Sequence, residues 1–396
     1  MKKFLMATAA SALVAGTAFA GGHGEVKIGI LVGFTGPIET IAPGMGDGAE
    51  FAMAEVTESG AFLGGKTVSS VRADSTCVDA AAATAAAERL ITSDGISGLM
   101  GADCSGVTGA VLANVALPNG LVMISPSATS PGLSTVEDNG LFFRTSPSDA
   151  RQGVVMSEVL MELGTKEVAL TYVNNDYGKG LADAFEAAFT SMGGNVTISA
   201  PHEDDKADYS AEVAALAAAG GERLVVADYN TGGGAGIIRA SLDSGAFDLF
   251  HLPDGMIGKS LETNFGSELD GSTGQVPGTD SPGSAQLVNL IGDAFDGTGS
   301  YVAESYDAAA LIMLAMQAAG SDNPADYKGK VMDVANAPGE KIYPGELAKG
   351  LEILANGGDI DYVGASAVEL IGPGESSGSY RQIVFEGGKM TTVKYR

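Results

Sequence analysis

The chain has 396 residues, 45% of them apolar, which is too apolar for a disordered polymer and long enough for two cores. Against 22 basic residues stand 49 acidic ones, and the formal charge of -27 repels phosphate backbones and anionic lipid surfaces, so nucleic-acid binding is excluded. Three His and two Cys cannot assemble a multi-Cys zinc site or a His-rich metal centre, and no metal or other cofactor is expected.

At the start, Lys2 and Lys3 precede an apolar run over 4–14, and Ala18-Phe19-Ala20 supplies the small residues a signal peptidase accepts. The run is shorter than the ~20 residues that span a bilayer and is interrupted by Ser11. Export with cleavage after Ala20 is expected, leaving a periplasmic protein with 20 basic and 49 acidic residues and a formal charge of -29. No later segment offers eighteen uninterrupted apolar residues.

From residue 26, short β-rich runs alternate with Ala-rich helical stretches, the pattern of βαβ units around a parallel sheet. Strands are expected over 26–32, 67–73, 96–100, 121–124 and 141–144, with helices over 44–59, 78–93 and 106–119. The rhythm then restarts, with helices from 150, 177 and 207 and strands over 167–172, 195–199 and 223–227. A last block has helices over 284–295, 302–319 and 345–355 and strands over 367–371 and 381–385. Three helices with so few strands cannot form a doubly wound domain alone, so this block completes the two earlier lobes and the chain crosses between them several times.

In open α/β sheets ligands bind beyond the carboxyl ends of the strands, which directs attention to the loops there. Gly101-Ala102-Asp103-Cys104-Ser105-Gly106 leads from a strand into a helix, where free N–H groups and a positive dipole end suit a carboxylate; Ser105 either contacts that anion or only caps the helix. Ser125 to Ser130 offers hydroxyls and unpaired backbone groups, a mixed surface suited to a zwitterion. Tyr177 follows a strand and either covers a ligand or lies on the surface of a helix capped by Asp176. Asp254, in Pro253-Asp254-Gly255, either opposes an ammonium group or is a plain turn residue. Cys77 and Cys104 read as a disulfide in an oxidising compartment, the alternative being two buried thiols.

Enzyme-like strings fail on context. Gly374-Glu375-Ser376-Ser377-Gly378 matches G-x-S-x-G, but no His follows position 251. Gly258-Lys259-Ser260 lacks the Gly that a phosphate loop needs five positions earlier, where Pro253 stands, and Gly44, Gly46 and Gly48 are too tightly spaced for a dinucleotide fingerprint. His23, His202 and His251 lack ligand spacing and read as solvated or structural.

Taken in order, Ile28-Gly29-Ile30 with Thr35-Gly36-Pro37, Asp74 with Cys77, Cys104-Ser105, the run Ile124 to Thr129, Phe143-Arg144-Thr145, Asp176-Tyr177-Gly178 and Pro253-Asp254-Gly255 give the chain its family likeness. It resembles the periplasmic solute-binding proteins of branched-chain amino-acid ABC transporters, the leucine/isoleucine/valine-binding protein family. The resemblance covers the mature chain. It implies an α/β type I periplasmic binding fold, two doubly wound lobes joined by three crossovers, with 21–146 and 274–370 in the first lobe and 147–273 and 371–396 in the second. It further implies a monomeric, non-catalytic receptor that closes on an amino acid, branched-chain or another small neutral one, and delivers it to an ABC-type permease. On the same resemblance Cys77 and Cys104 form the family's disulfide, Ser105 and Thr129 hold the carboxylate, Ser127 offers its carbonyl to the ammonium, Asp254 stands where an acidic ammonium partner, usually Glu, is found, and Tyr177 closes from the second lobe. The segments 38–43 and 229–234 depart from the family's version at the side-chain pocket, so an amide, an aromatic acid or another small polar solute, bound by a chemosensory or regulatory module on this fold, is the alternative.

Overall fold

A computed structural model describes residues 24–204 and 206–396. The expected leader and its cleavage site, and His23, lie outside the described residues.

The strands fall into two seven-stranded sheets of like design. In the first, β1 (Glu25–Val32), β2 (Thr67–Asp74), β3 (Gly98–Gly101), β4 (Met123–Ser125) and β5 (Phe142–Pro147) run parallel in the order β5-β4-β3-β1-β2. In the second, β6 (Glu167–Val173), β7 (Asn195–His202), β8 (Arg223–Ala227), β9 (Phe250–Leu252) and β10 (Thr273–Pro277) run parallel in the order β10-β9-β8-β6-β7. After a small parallel pair, β11 (Glu340–Ile342) and β12 (Ile360–Tyr362), the remaining strands finish both edges. The hairpin of β13 (Leu370–Ile371) and β14 (Glu375–Ser376) extends the first sheet beside β5, while β15 (Tyr380–Glu386) and β16 (Lys389–Tyr395) add antiparallel strands beside β10.

Three crossings follow from this order: after Pro147, after Pro277 and between Ser376 and Tyr380. Two of the three leave a strand that ends in Pro, which has no N–H to carry a ladder onward. The second crossing thus comes after residue 277 rather than before 274. The third comes after 376 rather than after 370, because β10 pairs in the second sheet and β14 in the first.

The helix Val302–Ala319 packs along β3, β4 and β5 and is buried on almost every face, as its nearly continuous apolar sequence requires. Among the described residues no helix is long and apolar enough to cross a membrane. In the second lobe Asp149–Glu162 and Asp176–Ser191 pack on one another. The latter is capped by Asn175, whose Oδ1 accepts from Gly178 N at 2.9 Å, so Asn175 and not Asp176 is the cap.

Arg144 on β5 is 1% exposed and fixes the first-lobe edge: its guanidinium donates to the carbonyls of Ala128 and Ser130 and to Glu375 Oε2 on β14. Glu375 belongs to the G-x-S-x-G string, which the structure places in the β13–β14 turn and the third crossing. The two described histidines are structural. His202 lies between Thr171 Oγ1 at 2.8 Å and Asp228 Oδ2 at 2.7 Å, and burial pushes the His251 pKa down to about 3.

Candidate functional site

The loops at the carboxyl ends of both sheets meet around one cavity. Its first-lobe wall is Ile38, Ile41, Asp103, Cys104, Ser105, Ser127 and Tyr301, and its second-lobe wall is Tyr177, Tyr229, Asp254 and Gly255. Cys77 and Cys104 are bonded as a disulfide, Cα to Cα 5.1 Å, tying the loop after β2 to the loop after β3 at the cavity's edge. In that second loop, Cys104 is the residue before the helix Ser105–Val111 and Ser105 opens it. Ser105 therefore does not cap: its Oγ accepts from Ser130 N at 3.0 Å, pinning the two first-lobe loops together, while the start of the helix, at Cys104 and Ser105, stands at the cavity wall.

The second-lobe wall carries an acidic group. Asp254 is 1% exposed; Oδ1 accepts from the Tyr177 hydroxyl at 2.6 Å and from Gly255 N at 2.8 Å, and Oδ2 accepts from the Tyr301 hydroxyl at 2.5 Å. Burial and the Asp254 charge push both tyrosine pKa values well up, so both phenols remain donors. Tyr177 stacks on Tyr229 with ring centroids 5.0 Å apart. Position 255 must be glycine, because a Cβ there would lie 2.7 Å from both the Tyr177 hydroxyl and the Asp228 carbonyl. Asp103 adds a second carboxyl to the wall, held by Ser75 Oγ and Gly33 N, and burial raises its pKa. Among the described residues no Lys or Arg lines the cavity.

Of the five residues expected to contact a ligand, Ser105, Ser127, Tyr177 and Asp254 are brought to this wall. Thr129 is not: it is fully buried one layer back, where its carbonyl accepts from Asp149 N at 2.8 Å and its hydroxyl lies beside the Asp149 carboxyl. Tyr301 carried no sequence signal, since its partner is 47 positions away in the other lobe. The departing segments 38–43 and 229–234 do reach the site, through Ile38, Ile41 and Tyr229.

The lobes touch directly around the cavity. Thr231 N donates to the Pro37 carbonyl at 3.3 Å, Ser300 Oγ to the Ile257 carbonyl at 2.8 Å, and Lys259 pairs with Asp296 at 2.6 Å. In this closed arrangement the cavity measures about 20 Å³, against the ~10–15 Å³ one water needs, so anything larger is admitted, and then held, only with the lobes farther apart than they are here.

Comparison with known proteins gives a family model described as periplasmic binding protein, which matches residues 25–336. The chain is 30% identical to Leu/Ile/Val-binding protein homolog 1 of Brucella melitensis, over 83% of this chain and 86% of that one. Its fold is similar to a leucine binding protein of Thermotoga maritima, with TM-score 0.80, 20% identity, and 93% of this chain and 98% of that one covered. It is also similar to an ABC-transporter solute binding protein of R. palustris solved with benzoate, with TM-score 0.74, 19% identity, and 94% and 96% covered.

Proposed function

The chain belongs to the periplasmic binding proteins, within the Leu/Ile/Val-binding group, and from that premise we propose that it captures a small neutral α-amino acid between its lobes and presents it to an ABC-type permease. It is a receptor for an amino-acid transport system and not an enzyme. The observation that carries the choice of ligand is the make-up of the cavity, with the helix start at Cys104 and Ser105 on the first-lobe wall and the buried, tyrosine-held Asp254 on the second-lobe wall. A zwitterion matches both ends at once: its carboxylate meets Ser105 and the helix terminus, and its ammonium meets Asp254 and the Ser127 carbonyl. Thr129 would support the carboxylate from behind Ser105. Ile38 and Ile41 offer the side chain an apolar wall, and Tyr177 covers the ligand from the second lobe.

Binding of this kind does no chemistry. Contacts drawn from both lobes favour the closed form over the open one, and that difference is the signal a permease reads. The proposed route is export after cleavage at Ala20, function as a monomer in the periplasm, and delivery to membrane subunits. A thermal-shift screen of unfolded and refolded protein against amino acids, amides and aromatic acids tests the reading, because only ligands that prefer the native state raise its midpoint. Leucine, isoleucine or valine should raise it; a response confined to acids without an amine would refute it.

A further inference from the structure

We propose that a second cavity, behind the cleft at the lobe crossings, is a separate binding site for a small zwitterion, held between Glu304 of the first lobe and Arg381 of the second. This cavity measures about 120 Å³ and is bounded by the second crossing, Pro277 to Thr279, as well as by both lobes. Glu304 lies near the start of the helix Val302–Ala319 and is 3% exposed. Its carbonyl is used, accepting from Thr145 Oγ1 at 2.8 Å, but its carboxyl meets only its own N–H. Arg381, on β15 in register with Val276, lines the same cavity half-buried. Among the described residues neither side chain has an ion-pair partner, and the two do not pair with each other although Arg381 acts on Glu304 through space.

A buried acid and an unpaired guanidinium facing one cavity leave two complementary demands unmet. An ammonium group answers the first and a carboxylate the second, and the hydroxyls of Thr279, Ser284 and Ser300 on the wall suit the remaining polar atoms. By the water measure above, the space admits a molecule of about glycine to threonine size. Burial, with the nearby Asp307 charge, raises the Glu304 pKa to about 8 while Arg381 opposes the rise, so near pH 7 the empty site holds a proton. An incoming ammonium requires the ionised form, and that proton leaves to the buffer. Tyr301 lines both cavities, so an occupant here would touch the residue that bonds Asp254 in the cleft.

Equilibrium dialysis with labelled glycine, on wild type, Asp254→Asn, Glu304→Gln and Arg381→Gln, tests the assignment. Uptake with a dissociation constant in the millimolar range is expected, retained in Asp254→Asn and weakened about tenfold or more in each of the other two. Calorimetry in two buffers of different ionisation enthalpy should show proton release in wild type and none in Glu304→Gln. No uptake, or uptake lost in Asp254→Asn and indifferent to the other substitutions, overturns the site without touching the cleft assignment. Methylammonium binding as well as glycine, indifferent to Arg381→Gln, would make it a cation pocket and also overturn the assignment. Should Glu304→Gln fail to fold, Arg381→Gln alone decides, since among the described residues the Arg381 side chain makes no hydrogen bond or ion pair, and its ladder contacts are those of the backbone.

Discussion

Asp254 is where the ligand's amine is tested, and Asp254→Asn is close to a pure change of charge. The carboxylate already takes three protein donors, from Tyr177, Gly255 and Tyr301. An asparagine oriented with its oxygen toward Tyr177 and Gly255 keeps two of them. Its amide nitrogen then faces Tyr301, whose hydroxyl turns to accept instead of donate. The local bonds survive, and what vanishes is the negative charge that a buried ammonium needs. A hydrogen bond to a charged group contributes roughly 1.5–3 kcal/mol, and leaving the ligand cation facing a neutral amide in a dry cavity raises the expected loss to about 2–4 kcal/mol. That is a loss of tens to hundreds of times in leucine affinity, read by calorimetry at matched pH and salt. Tyr301→Phe is the comparison: it keeps the charge and removes one inter-lobe bond, so it should weaken binding by no more than about 1.5 kcal/mol. Equal effects of the two substitutions would trace both to lobe closure. An unaltered dissociation constant in Asp254→Asn would refute the reasoning and remove the amine from the ligand.

Mass spectrometry of native protein without reductant should find no alkylatable thiol, and reducing the Cys77–Cys104 bond should cost about 3–4 kcal/mol of stability on the chain-entropy model for a loop of this length. Small-angle scattering should show compaction when leucine saturates protein freed of ligand, whereas an unchanged radius with demonstrated binding would mean that one lobe holds the ligand alone. Glu304 sets a pH dependence: because the folded state keeps its proton up to about pH 8 while the unfolded side chain loses it near 4.5, stability falls as pH rises between those values and levels off above. The fall is at most about 5 kcal/mol, and urea denaturation of Glu304→Gln at pH 5, 7 and 8.5 should lack that part of the slope; parallel curves for the two proteins would contradict it.

The architecture was legible wherever a segment's own pattern decided its state. The apolar strand 26–32 and the helix 302–319 declare themselves by period and length. The elements missed lack such a pattern. β9 is the three residues Phe-His-Leu, β10 reads Thr-Gly-Gln-Val-Pro, and the helix Gly233–Ser244 starts within a run of three glycines. Their state is set by neighbours: β10 lies between β9 and β15, and no local propensity announces either partner. The misplaced crossings have the same origin, since two short strands next to Gly and Pro look like linkers until their pairing is known.

At the site, the loops were legible and the bonds between them were not. Ser105, Ser127 and Tyr177 each follow a strand that the sequence shows, which the rule for open α/β sheets makes candidates without knowledge of the partner lobe, whereas Asp254 follows the missed β9 and is marked only by its Pro-Asp-Gly loop and the family likeness. Tyr301 has no such address, and Asp149, although just beyond β5, carries no sign of its partners. Asp149 opens the second-lobe helix just after the first crossing, and its N–H reaches the first-lobe Thr129 carbonyl. Its Oδ1 accepts from Gln152 Nε2, and Gln152 Oε1 in turn accepts from Asp254 N. Burial and the charge on Asp254 push the Asp149 pKa well up. A cation seated on Asp254, as proposed, would offset that charge and draw the Asp149 pKa back down, carrying its effect to the crossing as well as to the cleft wall. This relay joins positions 129, 149, 152 and 254 through folding alone, and it ties Thr129, behind the cavity wall, to the point where the second lobe begins.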